Sequence, residues 1–327
     1  MALTAGLAAL WLERVGWEAA RREARRRGNL PVQELFRAAL RITEDDADLM
    51  TNPVLGNWAG MLLPTRALWR PLVRAVGRID VRDHLGRWLH AATGFVMPGE
   101  RVMTNRHVLD VFAEPLPAPP GAQAFHLRRA ASIVFDPAAE DDATRFDLGP
   151  VVTAGAERIG RVVDLARLDM AVLEVAGHNG AAALPDPIPF STGGGGTGGD
   201  GDEVLCIGYP ARPGFSQVPA GADEALAFWD RVGAICGDAF GVKSISPGAV
   251  MDRAGAVAGD PRGWAISHDA TTFAGSSGSA VLRLGGGCGL RGLHFGGAVL
   301  TMNLAHDIAA VRARGDGTFD PRVLGDG

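Results

Sequence analysis

The stretch Phe273-Ala274-Gly275-Ser276-Ser277-Gly278-Ser279-Ala280-Val281 places a serine between glycines, immediately before an apolar run. Far upstream, Val102-Met103-Thr104-Asn105-Arg106-His107-Val108 ends a strand-like stretch on a histidine. Between them, Leu168-Asp169-Met170-Ala171-Val172-Leu173 sets an aspartate at the head of another apolar stretch. A serine hydroxyl is inert at neutral pH unless an imidazole takes its proton and a carboxylate orients that imidazole. The chain order His107, Asp169, Ser277 therefore predicts nucleophilic catalysis by Ser277.

These residues resemble the trypsin-like (chymotrypsin-fold) serine peptidases, in particular the bacterial glutamyl endopeptidase branch. That branch carries a T-G-F strand, then T-x-x-H-V, D-[hydrophobic]-A-[hydrophobic]-L, G-N-S-G-S-P and G-[IL]-H-x-G-G. The corresponding stretches here are, in the same order, Thr93–Phe95, Thr104–Val108, Asp169–Leu173, Gly275–Ala280 and Gly292–Gly297.

The resemblance runs from about residue 76 to about residue 312 and departs from the family pattern at two places. Ser276 replaces the asparagine before the nucleophile, and Ala280 replaces the proline after it. Two further stretches, Ile207–Pro210 and Phe240–Lys243, are similar to short motifs of the family's second barrel.

The resemblance implies a mainly β chain with two antiparallel six-stranded β-barrels, preceded by an α-helical N-terminal extension. The domains are then residues 1–75 as the extension, 76–192 as the first barrel and 193–327 as the second. The first barrel would carry His107 and Asp169, and the second would carry Ser277 and the specificity pocket. The implied activity is that of a serine endopeptidase that hydrolyses peptide bonds through an acyl-enzyme.

The resemblance also assigns roles around the triad. Asp164, which competes with Asp169 for the carboxylate role, is interpreted as a surface residue because Asp169 directly precedes the strand that the family pattern requires. The N–H groups of Gly275 and Ser277 would form the oxyanion hole. In isolation, a serine such as Ser277 is more often a turn residue and a histidine such as His107 is more often structural; the combination with Asp169 is what favours catalysis.

Substrate-binding residues are implied at Thr271, Thr272, His294, Phe295 and Gly296. His294 stands at the position of the branch's pocket histidine, and Thr272 lies five residues before the nucleophile, at the position of a pocket hydroxyl. Thr271 stands where trypsin has an aspartate, so a bound Lys or Arg would lack a counter-charge. Because a histidine and a hydroxyl can hydrogen-bond a carboxylate, a preference for Glu or Asp before the scissile bond follows. The alternative is that His294 only packs within its strand.

Composition indicates the size of the core and which partners and cofactors can be expected. A chain of 327 residues can bury a large core, and 45 glycines with one tyrosine suit short strands and tight turns. The net charge of −5 argues against a nucleic-acid partner, which would need a basic surface. No metal site is indicated, because the chain has no H-E-x-x-H motif and no cysteine pairs at zinc spacing, and no cofactor is expected.

The cysteines and the first residues of the chain indicate the cellular compartment in which the protein is expected. Cys206, Cys236 and Cys288 are an odd number and are expected to be buried, inert thiols, although a Cys236–Cys288 bridge stays open. The stretch from Met1 to Leu12 lacks a basic leader and is too short to span a membrane. We therefore expect a cytoplasmic protein without a membrane partner.

The N-terminal extension has apolar residues at helical spacing. A first helix is predicted from about Leu3 to the arginine run that ends at Arg27, with Gly28-Asn29 as its cap. Further helices are predicted over Val32–Ile42, from Thr43 to Met50, and within Asn57–Val76, where prolines break the pattern. The segment is expected to stay attached and to act as a docking or gating module for a regulatory protein. Ser276 carries no charge, so a trypsin-type activation, in which a new N-terminal ammonium pairs with an acid before the nucleophile, is not expected.

Beyond the extension, Arg78–Val81 alternates at period two and should open the first barrel. Loops are predicted over Glu114–Gly121 and Asp136–Asp147, and an inter-barrel linker over Ser191–Asp202. Two rival functions remain: an inactive binding module built on the same fold, and an esterase using the same triad. No strand–helix alternation of the α/β-hydrolase type surrounds Ser277, which disfavours the esterase.

Overall fold

A computed structural model describes residues 38–49, 55, 58–119, 122–138, 142–160, 163–178, 182–191, 201–214, 218, 221–237, 240–285, 287–298 and 302–325. Its strands, in chain order, are β1 (Leu40–Thr43), β2 (Asp46–Ala47), β3 (Val76–Arg82), β4 (Trp88–Met97), β5 (Arg101–Thr104), β6 (Ala113–Leu116), β7 (Ala124–Leu127), β8 (Ala131–Val134), β9 (Arg145–Ala154), β10 (Ala171–His178), β11 (Glu203–Gly208), β12 (Ser244–Asp252), β13 (Ala265–His268), β14 (Ala280–Arg283), β15 (Gly289–Ala298) and β16 (Met302–Asp307). The α-helices of the described part are α1 (Ala59–Val73), α2 (Arg106–Phe112), α3 (Ala222–Cys236) and α4 (Ile308–Arg314), and a 3₁₀ turn covers Pro321–Leu324.

Six antiparallel strands close the first barrel in the order β10-β5-β4-β3-β8-β9, with β9 returning to β10. The second barrel runs β11-β14-β15-β16-β13-β12 and closes through the pairing of β11 with β12. Closure leaves few open strand edges, which suits a glycine-rich chain of short strands. The predicted fold class, two six-stranded antiparallel barrels, is confirmed.

Strand β1 belongs to the second barrel's sheet, although the chain reaches it before the first barrel. It pairs with the start of β12, with Leu40 opposite Ile245 and Arg41 opposite Ser244, and then folds back onto β2. The turn between β1 and β2 has two residues with positive φ, Glu44 at 52° and Asp45 at 61°. Two consecutive residues of positive φ are the signature of a tight hairpin turn.

The helices predicted over Val32–Ile42 and Thr43–Met50 are therefore wrong for residues 40–47. The sequence Glu44-Asp45 is not one of the glycine or asparagine pairs that usually mark such a turn, so the hairpin left no strong signal. Pairing with β12, whose residues come some 200 positions later, overrides the local helical spacing. The predicted helix at the start of the chain lies outside the described residues, as does most of the predicted glycine-rich linker.

Helix α1 runs from Ala59 to Val73 without a break, with both prolines inside it. A helix within 57–76 is thus confirmed, but Pro64 and Pro71 do not end it. Its inner face buries Leu62, Trp69 and Val73 against the main core, and the Trp69 indole donates to the Leu62 carbonyl at 3.0 Å. Burying side chains of this size contributes about 1.5–3 kcal/mol each, which can offset the lost helical bonds at the prolines.

Two loop predictions need correction. Part of the proline-rich segment predicted as a loop is strand β6, which pairs with β7 in a separate two-stranded ribbon. Proline is compatible with such an edge strand where its nitrogen faces away from the partner strand, because no ladder hydrogen bond is then lost. The acidic loop ends earlier than predicted, since β9 begins at Arg145. None of the three cysteines forms a disulfide, so the Cys236–Cys288 bridge that the sequence left open is absent.

Candidate active site

The predicted base and carboxylate lie side by side at the edge of the first barrel. His107 is the second residue of helix α2, just after strand β5, and Asp169 lies just before β10, which pairs with β5. The Nδ1 atom of His107 is 2.7 Å from Asp169 Oδ2, and the His107 N–H donates to Asp169 Oδ1 at 2.8 Å. An ionised carboxylate can only accept, so Nδ1 carries the proton and Nε2 keeps a free lone pair.

The main chain of Asp169 is held at both ends. Its carbonyl accepts from the Asn105 side-chain amide at 2.9 Å, and its N–H donates to Nε2 of His306 at 3.0 Å. Asp169 is 2% exposed. The competing Asp164 lies on the surface, with its side chain 39% exposed and paired with Arg167. The geometry therefore separates the two carboxylates as the sequence predicts.

The pKa of His107 is raised above its ordinary value. Burial by itself lowers it, but the charge and hydrogen bond of Asp169, with a further contribution from Asp110, outweigh the burial. The ring is half-buried, with 30% of the side chain exposed, so it can still meet a substrate. A histidine with this pKa can both accept and return a proton near neutrality.

The loop that carries Ser277 is built on two glycines with positive φ, Gly275 at 83° and Gly278 at 85°. A Cβ on Gly275 would lie 2.7 Å from the Tyr209 carbonyl oxygen, and a Cβ on Gly278 would lie 2.0 Å from that of Thr93. Backbone conformation and lack of space thus both require glycine at these positions.

Peptide orientation in this loop leaves two N–H groups available. The Ala274 carbonyl accepts from Ala211 N at 2.5 Å, and the Ser276 carbonyl accepts from Ser279 N at 2.9 Å. In a trans peptide the following N–H points the opposite way, so those of Gly275 and Ser277 point away from these partners. Within the described part of the chain, neither N–H donates a hydrogen bond. Two such donors are what an oxyanion hole needs.

Thr93, on strand β4, joins the Ser277 loop to the first barrel. Its N–H donates to the Ser277 carbonyl at 2.8 Å, and its hydroxyl donates to the Gly275 carbonyl at 2.8 Å. The Thr93 carbonyl in turn accepts from the Thr104 hydroxyl at 2.8 Å. Since Thr104 ends the strand that leads to His107, these bonds bring the loop of Ser277 to the side of the barrel that carries His107 and Asp169.

Three of the residues predicted to line the specificity pocket, Thr271, Thr272 and His294, are buried. His294 exchanges main-chain hydrogen bonds with the Ser277 loop, accepting from Gly278 N at 2.9 Å and donating to the Ser279 carbonyl at 3.0 Å. The His294 ring meets His268 edge to face, with centroids 5.6 Å apart. Burial, followed by the proximity of His268, lowers the pKa of His294 well below its ordinary value.

The predicted pocket hydroxyl already has a partner. Thr272 donates to Oδ1 of Asn303 at 2.5 Å, and Asn303 Nδ2 donates to the Ala270 carbonyl at 2.7 Å. Thr271 is 6% exposed. Asn303 was not identified from the sequence, and no motif marks it beyond a polar residue in an apolar strand.

Two other predicted substrate-binding residues have different surroundings. The Phe295 ring stacks on His306, with centroids 4.2 Å apart and planes 15° from parallel, and belongs to an apolar cluster with Leu165 and Val257. It does not lie with His294, because successive strand side chains point to opposite faces. Gly296 faces Val163, whose Cγ2 would lie 2.7 Å from an added Cβ.

Neither a metal centre nor a membrane span is found among the residues that the structure describes. No group of three or more His, Cys, Asp or Glu side chains there could hold a metal ion. No helix of the described ranges is long and apolar enough to cross a bilayer.

Comparison with known proteins agrees with this architecture. The model of the trypsin-like peptidase domain matches residues 92–288, more than half of the chain and including His107, Asp169 and Ser277. The chain belongs to the trypsin-like peptidase family. A probable serine protease of Lysobacter enzymogenes is 31% identical to this peptidase over 265 residues, which cover 80% of this chain and 67% of that protein.

Solved structures similar to this trypsin-like peptidase include two forms of the Rv3671c protease from M. tuberculosis. The active form is 19% identical, with a TM-score of 0.44, and the alignment covers 89% of this chain and 92% of that chain. The inactive form is 20% identical, with a TM-score of 0.42, and the alignment covers 78% of this chain and 93% of that chain. As a serine peptidase of this family, the protein acts on protein substrates.

Proposed function

We propose that this peptidase is an endopeptidase in which Ser277 is the nucleophile, His107 the general base and Asp169 the orienting carboxylate. The observation that carries the proposal is the 2.7 Å contact between His107 Nδ1 and Asp169 Oδ2. It fixes the tautomer in which Nε2 can take a proton from a serine hydroxyl. Ser277 Oγ then attacks the scissile carbonyl, and His107 returns the proton to the leaving amine. Water, activated by the same histidine, releases the acyl group.

The N–H groups of Gly275 and Ser277 are proposed to bind the oxyanion of the tetrahedral intermediate. Their support is that both lack a partner within the described chain while the carbonyls on either side are held. Donors fixed in advance stabilise developing charge without reorganising at the moment of reaction.

A labelled fluorophosphonate and a Ser277→Ala variant test the nucleophile. We expect labelling of the wild type at Ser277, loss of labelling in the variant, and a fall in peptide cleavage of several orders of magnitude with the fold unchanged. Retention of more than about a tenth of the activity by pure Ser277→Ala protein would contradict the assignment. If the fluorophosphonate does not label Ser277 in the wild type, the inactive binding module is favoured instead.

We further propose a preference for Glu, and to a lesser degree Asp, before the scissile bond, with His294 as the main reader of the carboxylate. The described pocket residues include no carboxylate that would attract Lys or Arg. Thr272 can donate to a substrate only if its hydroxyl leaves Asn303, so its share should be smaller. His294 is hydrogen-bonded to the Leu304 main chain, and its Nδ1 has no partner in the structure. Because that nitrogen can donate only when protonated, acidic substrates should bind with uptake of a proton.

Cleavage of an unbiased peptide pool tests the preference. We expect cuts after Glu to dominate, and His294→Ala to erase the discrimination more than it slows turnover of poor substrates. Thr272→Ala is the matched comparison and should lose less discrimination. Equal cleavage after Arg, Lys or large aromatic residues by the wild type would refute the preference.

We also propose that the active enzyme keeps its N-terminal segment, which regulates the second barrel or docks a protein partner. The support is that β1 is a member of the second barrel's sheet, and that Ala39 packs in one apolar cluster with Phe273 of the Ser277 loop. Mass spectrometry of active, fluorophosphonate-labelled enzyme should find residues 1–37 still attached. Activity that appears only after cleavage near residue 75 would overturn this proposal.

A further inference from the structure

His306 sits on strand β16 of the second barrel, yet its side chain reaches the carboxylate residue of the first. Its Nε2 accepts the Asp169 N–H at 3.0 Å. The residue is 1% exposed, and β16 is fixed on both sides, with His306 opposite Leu293 on β15 and Ala265 on β13. The ring lies flat on Phe295. A side chain with so little freedom defines where its acceptor nitrogen lies.

We propose that His306 is a positioning residue that sets the orientation of Asp169, and through it of His107, from across the barrel interface. This inference rests on the proposed role of the triad. Asp169 precedes β10 by two residues, so its main chain is not yet part of the strand ladder. Asn105 holds its carbonyl and His306 holds its N–H, and together they fix the peptide units from which the carboxylate projects.

The contact requires neutral His306, since a protonated Nε2 would present a hydrogen to the Asp169 N–H. Burial lowers the pKa of His306 to about 4, although the charges of Asp169 and Asp260 act in the opposite direction. The ring is therefore neutral across the pH range in which His107 has to change its protonation state. His306 can thus accept the Asp169 N–H in both protonation states of His107.

Replacement by a hydrocarbon, His306→Leu, should lower kcat/KM about 10- to 100-fold, the size of effect expected from misplacing a catalytic group by a fraction of an ångström. KM should change little, because His306 touches no substrate. The acid limb of the kcat/KM profile should move to lower pH. A less well-aligned Asp169 raises the pKa of His107 less, so the base remains neutral at lower pH.

Rescue separates positioning from packing. In His306→Gln, an amide oxygen can stand near the place of Nε2 and accept the Asp169 N–H, so most of the activity and the original pH profile should return. Equal losses in the Leu and Gln variants, with the acid limb unmoved in both, would overturn the proposal.

A double variant gives a second test. If His306 acts through Asp169, adding His306→Leu to Asp169→Asn should have little further effect, since the carboxylate it positions is already gone. Multiplication of the two losses would show that His306 acts elsewhere and would also overturn the proposal.

The third readout needs no turnover and so remains informative if the proposed function fails. In Ser277→Ala protein, NMR titration follows the His107 Nδ1 proton and its pKa. Adding His306→Leu should lower that pKa and shift the proton's resonance, whereas His306→Gln should leave both near their starting values. An unchanged resonance in a folded Leu variant would overturn the positioning role, whatever the activity assays had shown about Ser277.

Discussion

Side chains hold the candidate base of the first barrel: Asp169 contacts the His107 ring and its N–H, and Asp169 is held by Asn105 and by His306, which reaches it from the second barrel. In the second barrel, the main chain shapes the loop of Ser277, with glycines at the turns and carbonyls bonded to Thr93 and Ala211. A general base gains and loses a proton, so charged and polar side chains surround it. A nucleophile loop must present N–H groups, so it is shaped by backbone geometry.

His107 also differs from buried histidines that have no carboxylate partner, which occur in both barrels: burial lowers the pKa of His90, on β4 of the first barrel, to about 4. The pKa of His107, beside a carboxylate, is raised. The pKa values of His268 and His306, deep in the second barrel, fall to about 4 because burial disfavours their charged forms. Only a histidine with an anionic partner and access to solvent is placed to cycle protons at neutral pH. The following predictions test this division.

The largest effect is expected from replacing the Asp169 carboxylate of the first barrel. Asp169→Asn should lower kcat roughly 10⁴-fold, because an amide favours the wrong imidazole tautomer. Asp164→Asn is the matched control, and its surface position predicts activity within about two-fold of the wild type. Steady-state kinetics on one peptide substrate decides between them, and the reverse result would mean that Asp164 serves His107.

The next largest effect is expected from a substitution in the Ser277 loop of the second barrel. Gly275→Ala combines an unfavourable φ with a 2.7 Å approach to the Tyr209 carbonyl, so the loop must shift. We expect kcat to fall roughly 100- to 1000-fold, as when an oxyanion donor is lost. Gly86→Ala shares the positive φ, 79°, but meets nothing within 4 Å. It should lose stability by about 1 kcal/mol and keep its activity. Comparable loss of kcat in both variants would show that strain alone, not the loop's geometry, is responsible.

A smaller effect is expected from a substitution of Thr93, which joins the Ser277 loop to the first barrel. Thr93→Val keeps the shape but removes the hydroxyl that donates to the Gly275 carbonyl and accepts from Tyr209 N at 3.0 Å. Leaving buried partners unpaired costs about 1–3 kcal/mol, so kcat should fall roughly 10- to 100-fold. Thr93→Ser keeps the hydroxyl and should stay close to the wild type. If Thr93→Val is fully active while Gly275→Ala is not, the loop does not depend on the first barrel.

The smallest effect concerns stability against pH. The folded pKa of His268 lies at about 4, below its unfolded value of 6.5, so its contribution is present above pH 6.5 and is lost as pH falls toward 4. In that window the unfolded chain takes up a proton that the fold does not. His268→Leu should therefore reduce the slope of unfolding free energy against pH by up to about 1.4 kcal/mol per pH unit. Denaturant unfolding at pH 7, 6 and 5 measures the slope, and an unchanged slope would mean that His268 is not held neutral.

Three short motifs in order, together with the family resemblance they carry, were enough to predict His107, Asp169 and Ser277 as residues of the candidate site. His107 and Asp169 follow or precede apolar strands, and Ser277 lies between glycines that the turn requires. Each signal spans fewer than ten residues. The pairing of the two barrels followed from the resemblance in motif order. The hairpin at 40–47 was missed because Glu44 and Asp45 adopt positive φ without the usual turn residues.

The sequence by itself predicted the family and the barrel class and singled out His107, Asp169 and Ser277 as candidates for the site, because motif and turn residues act over short distances. Only the tertiary structure showed that Thr93 supports a loop 182 residues away, or that His306 holds Asp169 across 137 residues. A strand's partner and a buried side chain's neighbour depend on how distant segments pack, and one histidine in an apolar strand looks like any other. Barrel closure brings these segments together, and that closure turns ordinary strand residues into parts of the candidate site.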